Sequence, residues 1–352
     1  VEKSLNHSLP AFLMASGGKR GRKEGAAMIY LEPPGTDPYF NLALEEYVFE
    51  QMDRSRAYFM LWQNSNTIVV GKYQNTAEEI NQAFVDAHGI RVVRRLSGGG
   101  AVYHDLGNIN FTFIVDSGAT AAFDFSTFCR PIVKALEHFG VHAEINGRND
   151  MTIDGKKFSG NSQYGKQGRT MHHGTILYDS DLEVVGKALT VSRDKLEGKG
   201  IQSVRSRVTN VRPYIAGDIS TEAFFAALRD FLFQEYALQP YRLSQGQLAE
   251  IRALQAERYD QWSWNYGASP AYRLRKARQV DGCGKLEIFL DVQKGILRDV
   301  AFYGDYFGNE DTQSLARRLS GCPMEAAAIR TALKDLEIGT YFNHMDLETF
   351  LE

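Results

Sequence analysis

Residues 94–105, Arg-Arg-Leu-Ser-Gly-Gly-Gly-Ala-Val-Tyr-His-Asp, constrain the fold more than any other part of this sequence. An apolar run from Ile90 to Val93 leads into them and reads as a strand. Ala101 to His104 is β-branched and aromatic and reads as a second strand, and Asn108 to Phe113 continues the pattern. Three consecutive glycines between strands let the backbone approach a ligand closely. Successive N–H groups in such a turn make a concave anion site, and paired arginines add charge and a planar fork for phosphate or carboxylate. The direct reading is a cradle for a nucleotide phosphate or acyl-phosphate; the bland one is a glycine-rich hairpin. No Lys-Ser or Lys-Thr follows at Walker spacing, and no helix opens after the glycines, so neither a P-loop nor a dinucleotide fingerprint is present.

Length and composition set the frame around this loop. The 352 residues suffice for one large domain and a small one. No apolar run is long enough to cross a bilayer, so no membrane association is expected. Cys129, Cys283 and Cys322 are far apart, with neither metal-site spacing nor an even disulfide set, which fits a reduced, cytoplasmic setting. The net charge of −3 hides an asymmetry: residues 1–27 hold five basic and two acidic residues, leaving 35 basic and 41 acidic for the remainder. Residues 1–27 lack periodicity and are expected to be a disordered extension or tag outside the fold. No nucleic-acid partner is expected.

Asn41 to Met52 carries an amphipathic helix pattern. Tyr58–Trp62 and Thr67–Gly71 are β-rich runs separated by Gln63-Asn64-Ser65-Asn66, a hairpin signature. Thr76-Ala77-Glu78-Glu79 reads as a capping box opening a helix that ends near Gly89. Ser126 to Phe139 reads as a helix with Pro131 at its start or at a kink, and Val141 to Leu177 as strands and tight turns including Asp154-Gly155. Helices are expected at 221–236 and 245–258, then strands at 285–292 and 296–303 and helices at 312–319 and 323–336. Strands mostly follow strands, with helices between groups, which predicts an α+β fold on an antiparallel or mixed sheet.

A second constellation lies at Asn146-Gly147-Arg148-Asn149-Asp150, Asp154 to Ser162 and His172-His173-Gly174. Lys156 reads as a solvated turn lysine. Lys157 opens a strand into Ser-Gly, where a lysine can neutralise charge developing on an acyl-phosphate. The adjacent histidines point to opposite faces of a strand; a satisfied buried histidine is the default for each, and a shared metal is not suggested. Arg169, Arg205 and Arg207 suit either an acidic partner surface or a solvated face.

Together these segments resemble the lipoate-protein ligase family, of the A type with a C-terminal accessory domain. The matching residues are Asp37 to Glu46, Leu61-Trp62-Gln63-Asn64, Gly71 to Asn75, Arg94 to Asn108, Gly147 to Asp150, Lys157 to Gly160, His172 to Gly174 and Gly200 to Asn210. The resemblance runs from about Met28 to the C-terminus. It implies a biotin/lipoate protein ligase-like mixed sheet with flanking helices over residues 28–255, and a small α+β C-terminal domain over 260–352. It implies that lipoate and ATP, with Mg²⁺, give lipoyl-adenylate and pyrophosphate. A lysine of an apo lipoyl carrier then attacks the anhydride and releases AMP. The carriers implied are lipoyl domains of 2-oxoacid dehydrogenase acyltransferase subunits and the glycine cleavage H protein, and a monomer is expected.

By position in these motifs, Arg95, Gly99, Gly100, Ala101, Val102, Tyr103, Asn108, Asp150 and Lys157 are implied to meet ATP or the adenylate, Asp150 on the Mg²⁺ side. Lys157 is implied to touch both the lipoyl carbonyl and the phosphate. Trp62, Gly100, Lys157 and His173 are implied to line the lipoyl channel, Trp62 at its far end. Lys72 departs from the arginine many members carry, keeping charge but losing the fork. Octanoyltransferases of the same superfamily use a cysteine, and none lies near Lys157; the nearest, Cys129, is 28 residues earlier. Biotin ligases carry an arginine-rich glycine loop of different order, which is absent here; a lipoyl or octanoyl transferase lacking the activation step and a non-catalytic lipoate- or nucleotide-binding regulator are the remaining alternatives.

Overall fold

A computed structural model describes residues 27–116, 125–146, 149–189, 207–266, 274–293 and 295–351. The expected extension, apart from Ala27, and the motif residues Gly147, Arg148 and Gly200 to Ser206 lie outside the described residues.

The chain forms strands β1 (Ile29–Leu31), β2 (Tyr58–Trp62), β3 (Thr67–Val70), β4 (Arg91–Arg94), β5 (Val102–His104), β6 (Asn108–Asp116), β7 (Glu144–Asn146), β8 (Asp150–Ile153), β9 (Lys156–Lys166), β10 (Arg169–Leu177) and β11 (Gln239–Pro240). Eight of them make one mixed sheet in the order β11-β1-β2-β6-β10-β9-β8-β7. β1 pairs parallel with both neighbours, and the ladders from β2 to β7 are antiparallel. Asp154 and Gly155, both at positive φ, turn β8 into β9 as expected.

The two β-rich runs around Gln63–Asn66 do not form a hairpin. β2 joins the large sheet beside β6, whereas β3 sits at the centre of a second sheet in the order β4-β3-β5. The link is not a free polar turn: Asn64 is buried, tied to Asn41 and His104, and this anchoring carries the chain from one sheet to the other.

Each sheet face is set by side-chain alternation. On β6 the odd residues Ile109, Phe111 and Phe113 pack under helices Phe125–His138 and Thr221–Tyr236 in one core cluster. The even residues Asn108, Asn110 and Thr112 face the other way, yet all are buried. Helix α1 (Pro38–Gln51) covers that second side. Asp37 caps it, accepting from Tyr39 N, and Pro38 stands in its first turn, so it begins earlier than its apolar pattern indicates. Nor is it amphipathic in practice: Glu45 and Glu46 are buried along with its apolar residues. Glu46 is met by Tyr259 and Arg258 from a π-helical turn, Gln255–Tyr259, that breaks the expected 245–258 helix after Leu254. Arg169 is 2% exposed and donates to the carbonyls of Phe49 and Met52 at the end of α1, so it is a structural clamp and not a surface contact.

Thr76–Glu79 is only one helical turn, without a side-chain cap. The chain then bridges at Ile80 to Leu189 and restarts as Gln82–Ala87, capped by Asn81. Pro131 lies inside its helix, not at the start. In the C-terminal part, β12 (Leu274–Val280), β13 (Gly284–Gln293) and β14 (Ile296–Gly304) form an antiparallel sheet packed with helix Thr312–Leu319 and Leu333. Lys285 pairs with the buried Glu287 at 2.5 Å.

Candidate active site

A cavity of about 290 Å³ lies between the large sheet, the glycine loop and the start of the small sheet. Its floor follows one row of side chains across five strands. Trp62 on β2 is opposite Asn110 on β6, and Asn110 opposite Thr175 on β10. The Thr175 hydroxyl accepts from Gly160 N on β9, and Gly160 is opposite Asp150 on β8. All five residues line the cavity. Four interstrand steps of about 4.8 Å separate the tryptophan from the aspartate by roughly 19 Å. One end of the cavity is therefore aromatic and the other charged.

The charged end depends on a bulge. Asp150 pairs with Gly160, but Thr152 pairs with Lys157, because the register slips between Met151 and Thr152. Without the slip, Phe158 would share the face of Gly160. Instead Phe158 enters the core beneath the sheet and Lys157 turns to the cavity. Lys157 Nζ reaches Asp150 Oδ1 at 2.7 Å, with both side chains partly open to solvent. A Cβ on Gly160 would stand 3.1 Å from that Nζ, so the glycine leaves the lysine its space. The Lys157 backbone is held from below: its N–H donates to Arg207 O, and its carbonyl accepts from Thr209 N.

The roof is the glycine loop. A Cβ on Gly71 would lie 2.0 Å from the Gly99 carbonyl oxygen, which is why β3 ends in glycine beneath the loop. Gly98 packs as closely on the C-terminal part: its Cβ would meet Tyr306 O at 2.2 Å, and Gly99 N donates to that same oxygen. The arginines do not present open forks. Arg94 spends its donors on Gly71 O, Lys72 O, Gln74 O, Trp264 O and the Thr76 hydroxyl, and does not line the cavity. Arg95 does line it, but donates to Val69 O, Gly98 O, Gly100 O and Ser97 Oγ. Burial lowers its pKa to about 10, still charged at neutral pH. It acts as a fixed positive charge that shapes the loop from beneath.

Behind the aromatic end runs a directed hydrogen-bond chain. Arg95 Nε donates to Ser97 Oγ, and Ser97 Oγ lies 2.6 Å from His173 Nε2. His173 Nδ1 faces Glu45 Oε1 at 3.1 Å, which makes it the donor and Nε2 the acceptor. From the other side Trp62 Nε1 donates to Thr112 Oγ1, and Thr112 donates to the same Glu45 oxygen at 2.5 Å. The buried carboxylate thus fixes both His173 and Trp62. Glu45, Ser97 and Thr112 went unnoticed in the sequence. A usable signal was the alternation Asn108-x-Asn110-x-Thr112 within an otherwise aromatic strand: a polar face on a buried strand needs a cavity to look into.

Of the residues singled out from sequence, Trp62, Arg95, Gly99, Gly100, Ala101, Val102, Asp150, Lys157 and His173 meet at this cavity. Tyr103 points away into the small-sheet core and donates to Asn66. Asn108 is fully buried beside the cavity and donates to Asn110, which lines it. Lys72 is off the wall, with its Nζ over the rings of Tyr73 and Tyr164. His172 faces the core, between Gln163 Nε2 and Asn161 Oδ1 and stacked on Phe128. Three or more grouped metal-ligating side chains do not occur among the described residues.

Burial holds two histidines neutral. His104 is pushed down to about 3 by desolvation, then by Arg95 and His173; His172 is lowered by desolvation, then by His173. Unfolded, each takes up a proton near pH 6.5, so the unfolded chain binds more protons below that value and stability falls with pH. Each contributes a loss of up to about 1.4 kcal/mol per pH unit. The melting midpoint is expected to drop by about 5 °C or more between pH 7 and 5. A flat midpoint in calorimetry over that range would contradict neutral burial.

The model of the lipoyl protein ligase A/B catalytic domain matches residues 37–233, and that of the bacterial lipoate protein ligase C-terminus matches residues 269–352. The lipoate-protein ligase LplJ of Bacillus subtilis (strain 168) is 40% identical over 319 residues, covering 90% of this chain and 96% of its own. The lipoate-protein ligase 1 of Staphylococcus aureus (strain Mu50) is 40% identical over 311 residues, covering 88% and 94%. Among solved structures, P. falciparum LipL1 in complex with lipoate superposes with a TM-score of 0.73 at 25% identity, covering 92% of this chain and 96% of that one.

Proposed function

We infer the reaction from one premise: this chain belongs to the lipoate-protein ligase family. Lipoate and ATP bind in the cavity and give lipoyl-adenylate and pyrophosphate. The lipoyl group then passes to a lysine of an apo lipoyl domain, of a 2-oxoacid dehydrogenase acyltransferase subunit or the glycine cleavage H protein. The observation that carries this reading is the cavity floor, which joins an aromatic stop at Trp62 to the Lys157–Asp150 pair about four strands away. Such a shape suits an acyl chain whose tail rests on the tryptophan while its carboxylate meets the lysine. Residues 28–255 serve as the catalytic domain and residues 260–352 as the accessory domain. Buried Cys129 and Cys283, with no disulfide formed by any of the three cysteines, fit a cytoplasmic setting. Among the described residues no helix is long and apolar enough to cross a membrane.

In the first step a lipoate carboxylate oxygen attacks the α-phosphorus, and the bond from that phosphorus to the bridging oxygen breaks, releasing pyrophosphate. Lys157 Nζ leaves Asp150 for the oxygens where charge accumulates, on the carbonyl and the α-phosphate. Arg95 adds a buried positive charge under the loop, and the backbone of Gly99 to Tyr103 lies along the nucleotide. Asp150 is a partly exposed carboxylate, and Mg²⁺ is held by one or two such groups together with substrate phosphates, so the donor set fits. When bound, the ion supplies charge neutralisation on the phosphates. In the second step the carrier amine attacks the carbonyl, the carbonyl–oxygen bond to AMP breaks, and the amine's proton passes to solvent water.

The test is pyrophosphate release from ATP without carrier, with lipoate, octanoate or biotin supplied separately. Release with lipoate and not with biotin is expected. No release, alongside transfer from supplied lipoyl-adenylate to a carrier lysine, would make the chain a transferase.

A further inference from the structure

Two buried polar side chains near the Trp62 end of the cavity, His104 and Asn110, each keep an atom with no partner among the described residues. His104 is 4% exposed, and its Nδ1 lies 3.2 Å from Asn64 Nδ2. The orientation of that amide is fixed from its other end. Asn64 Oδ1 accepts from Asn41 Nδ2, whose other bonds go to the carbonyl oxygens of Gly35 and Gln63. An amino group facing Nδ1 makes that nitrogen the acceptor, so the ring proton sits on Nε2. Nε2 is buried and unbonded. Asn110 adds a second polar side chain: its amide pairs with that of Asn108, and the outward atoms of that pair, Asn110 Nδ2 and Asn108 Oδ1, are both buried and unbonded. His104 and Asn110 both line the cavity. Asn110 pairs directly with Trp62 across the two strands, and the His104 ring meets the tryptophan edge-on at 6.4 Å.

A buried donor without an acceptor is costly, and native structures leave few of them. The fixed His104 donor and the Asn110 amide belong to residues that line one cavity beside an aromatic wall, and such a pair suits an acceptor on the distal end of whatever enters. We propose that His104 Nε2–H, with the Asn110 side-chain amide beside it, forms a polar tail subsite that favours acyl chains with a hydrogen-bond acceptor at the far end over saturated chains of equal length. The proposal rests on the lipoate reading above. The ring sulfurs of lipoate are weak acceptors; the methylenes of octanoate are none. Pockets that hydrogen-bond their substrate reject the analogue lacking the partner, because their own polar groups are then left unpaired.

The experiment measures pyrophosphate release by the full chain with lipoate and with octanoate, as the ratio of the two kcat/KM values. The wild-type chain is expected to favour lipoate by about tenfold or more. Asn110→Leu removes the donors at similar volume and is expected to bring the ratio down about tenfold, mostly through a lower KM for octanoate. His104→Gln keeps an oxygen for Asn64 and tests the second donor with less disturbance to folding. The ratio cancels any general loss of active enzyme. An unchanged ratio in both variants, or a wild-type ratio near one, overturns the subsite while leaving the ligase reading intact. No release with either acid by the wild-type chain overturns both.

Discussion

Lys157→Ala is expected to lower kcat/KM for lipoate-dependent pyrophosphate release by about 10²–10³-fold. Its ammonium, paired with Asp150, stands at the charged end of the cavity, and loss of one donor to a developing anion has effects of that size. The fold should hardly notice. Lys157 and Asp150 are 40% and 36% exposed, and ion pairs in such positions contribute at most about 1 kcal/mol. Main-chain bonds to residues 207 and 209 do not depend on the side chain. Lipoate binding, followed by calorimetry, should persist. Near-normal turnover with a native circular dichroism spectrum would remove Lys157 from the mechanism.

Arg95→Met is expected to have the opposite character, a structural loss first. The guanidinium is buried beneath the glycine loop and serves the carbonyls of Val69, Gly98 and Gly100 as well as Ser97. Without it those oxygens lose their donors, and Glu45, at the end of the same hydrogen-bond chain, loses its counter-charge. Breaking a buried ionic arrangement of this kind destabilises by about 3–5 kcal/mol. The melting midpoint should fall by about 8–15 °C. Arg95→Lys should fall in between, since an ammonium keeps the charge but not the planar set of donors. A melting point unchanged in Arg95→Met would show that the loop holds its shape without the arginine.

The contrast between these two residues marks what was legible in the sequence. Lys157 was recognisable as a site residue from its neighbours in the chain, Ser159 and Gly160, and from the motif they share. That its side chain reaches the cavity depends on a bulge against Thr152, which no local pattern announces. Arg95 was recognisable as a charge beside glycines, but the natural inference, a fork aimed at phosphate, ignored the carbonyls that a tight loop turns inward. Glu45 looked like the solvated side of an amphipathic helix. Its partners, Thr112 and His173, are 67 and 128 residues away, so nothing nearby signalled its burial. The hairpin expected around Gln63–Asn66 failed for a related reason: Asn64 is a turn residue by type and a buried junction by contact. Periodicity located most strands and the long helices, because their faces are dictated by burial. It could not say which strands share a sheet.

The bed of the cavity has a further meaning. Because it is laid crosswise to the strands, reach is measured in units of strand spacing, and its two stops belong to different segments of the polypeptide. Lengthening or shortening a strand leaves the gauge untouched. Resetting it requires changing the end stop itself, at Trp62, or adding or removing a whole strand. On the proposed reading, substrate length is set by the hydrogen-bonded framework, and a change at Trp62 alone is expected to shift chain-length preference without disturbing the Lys157–Asp150 end.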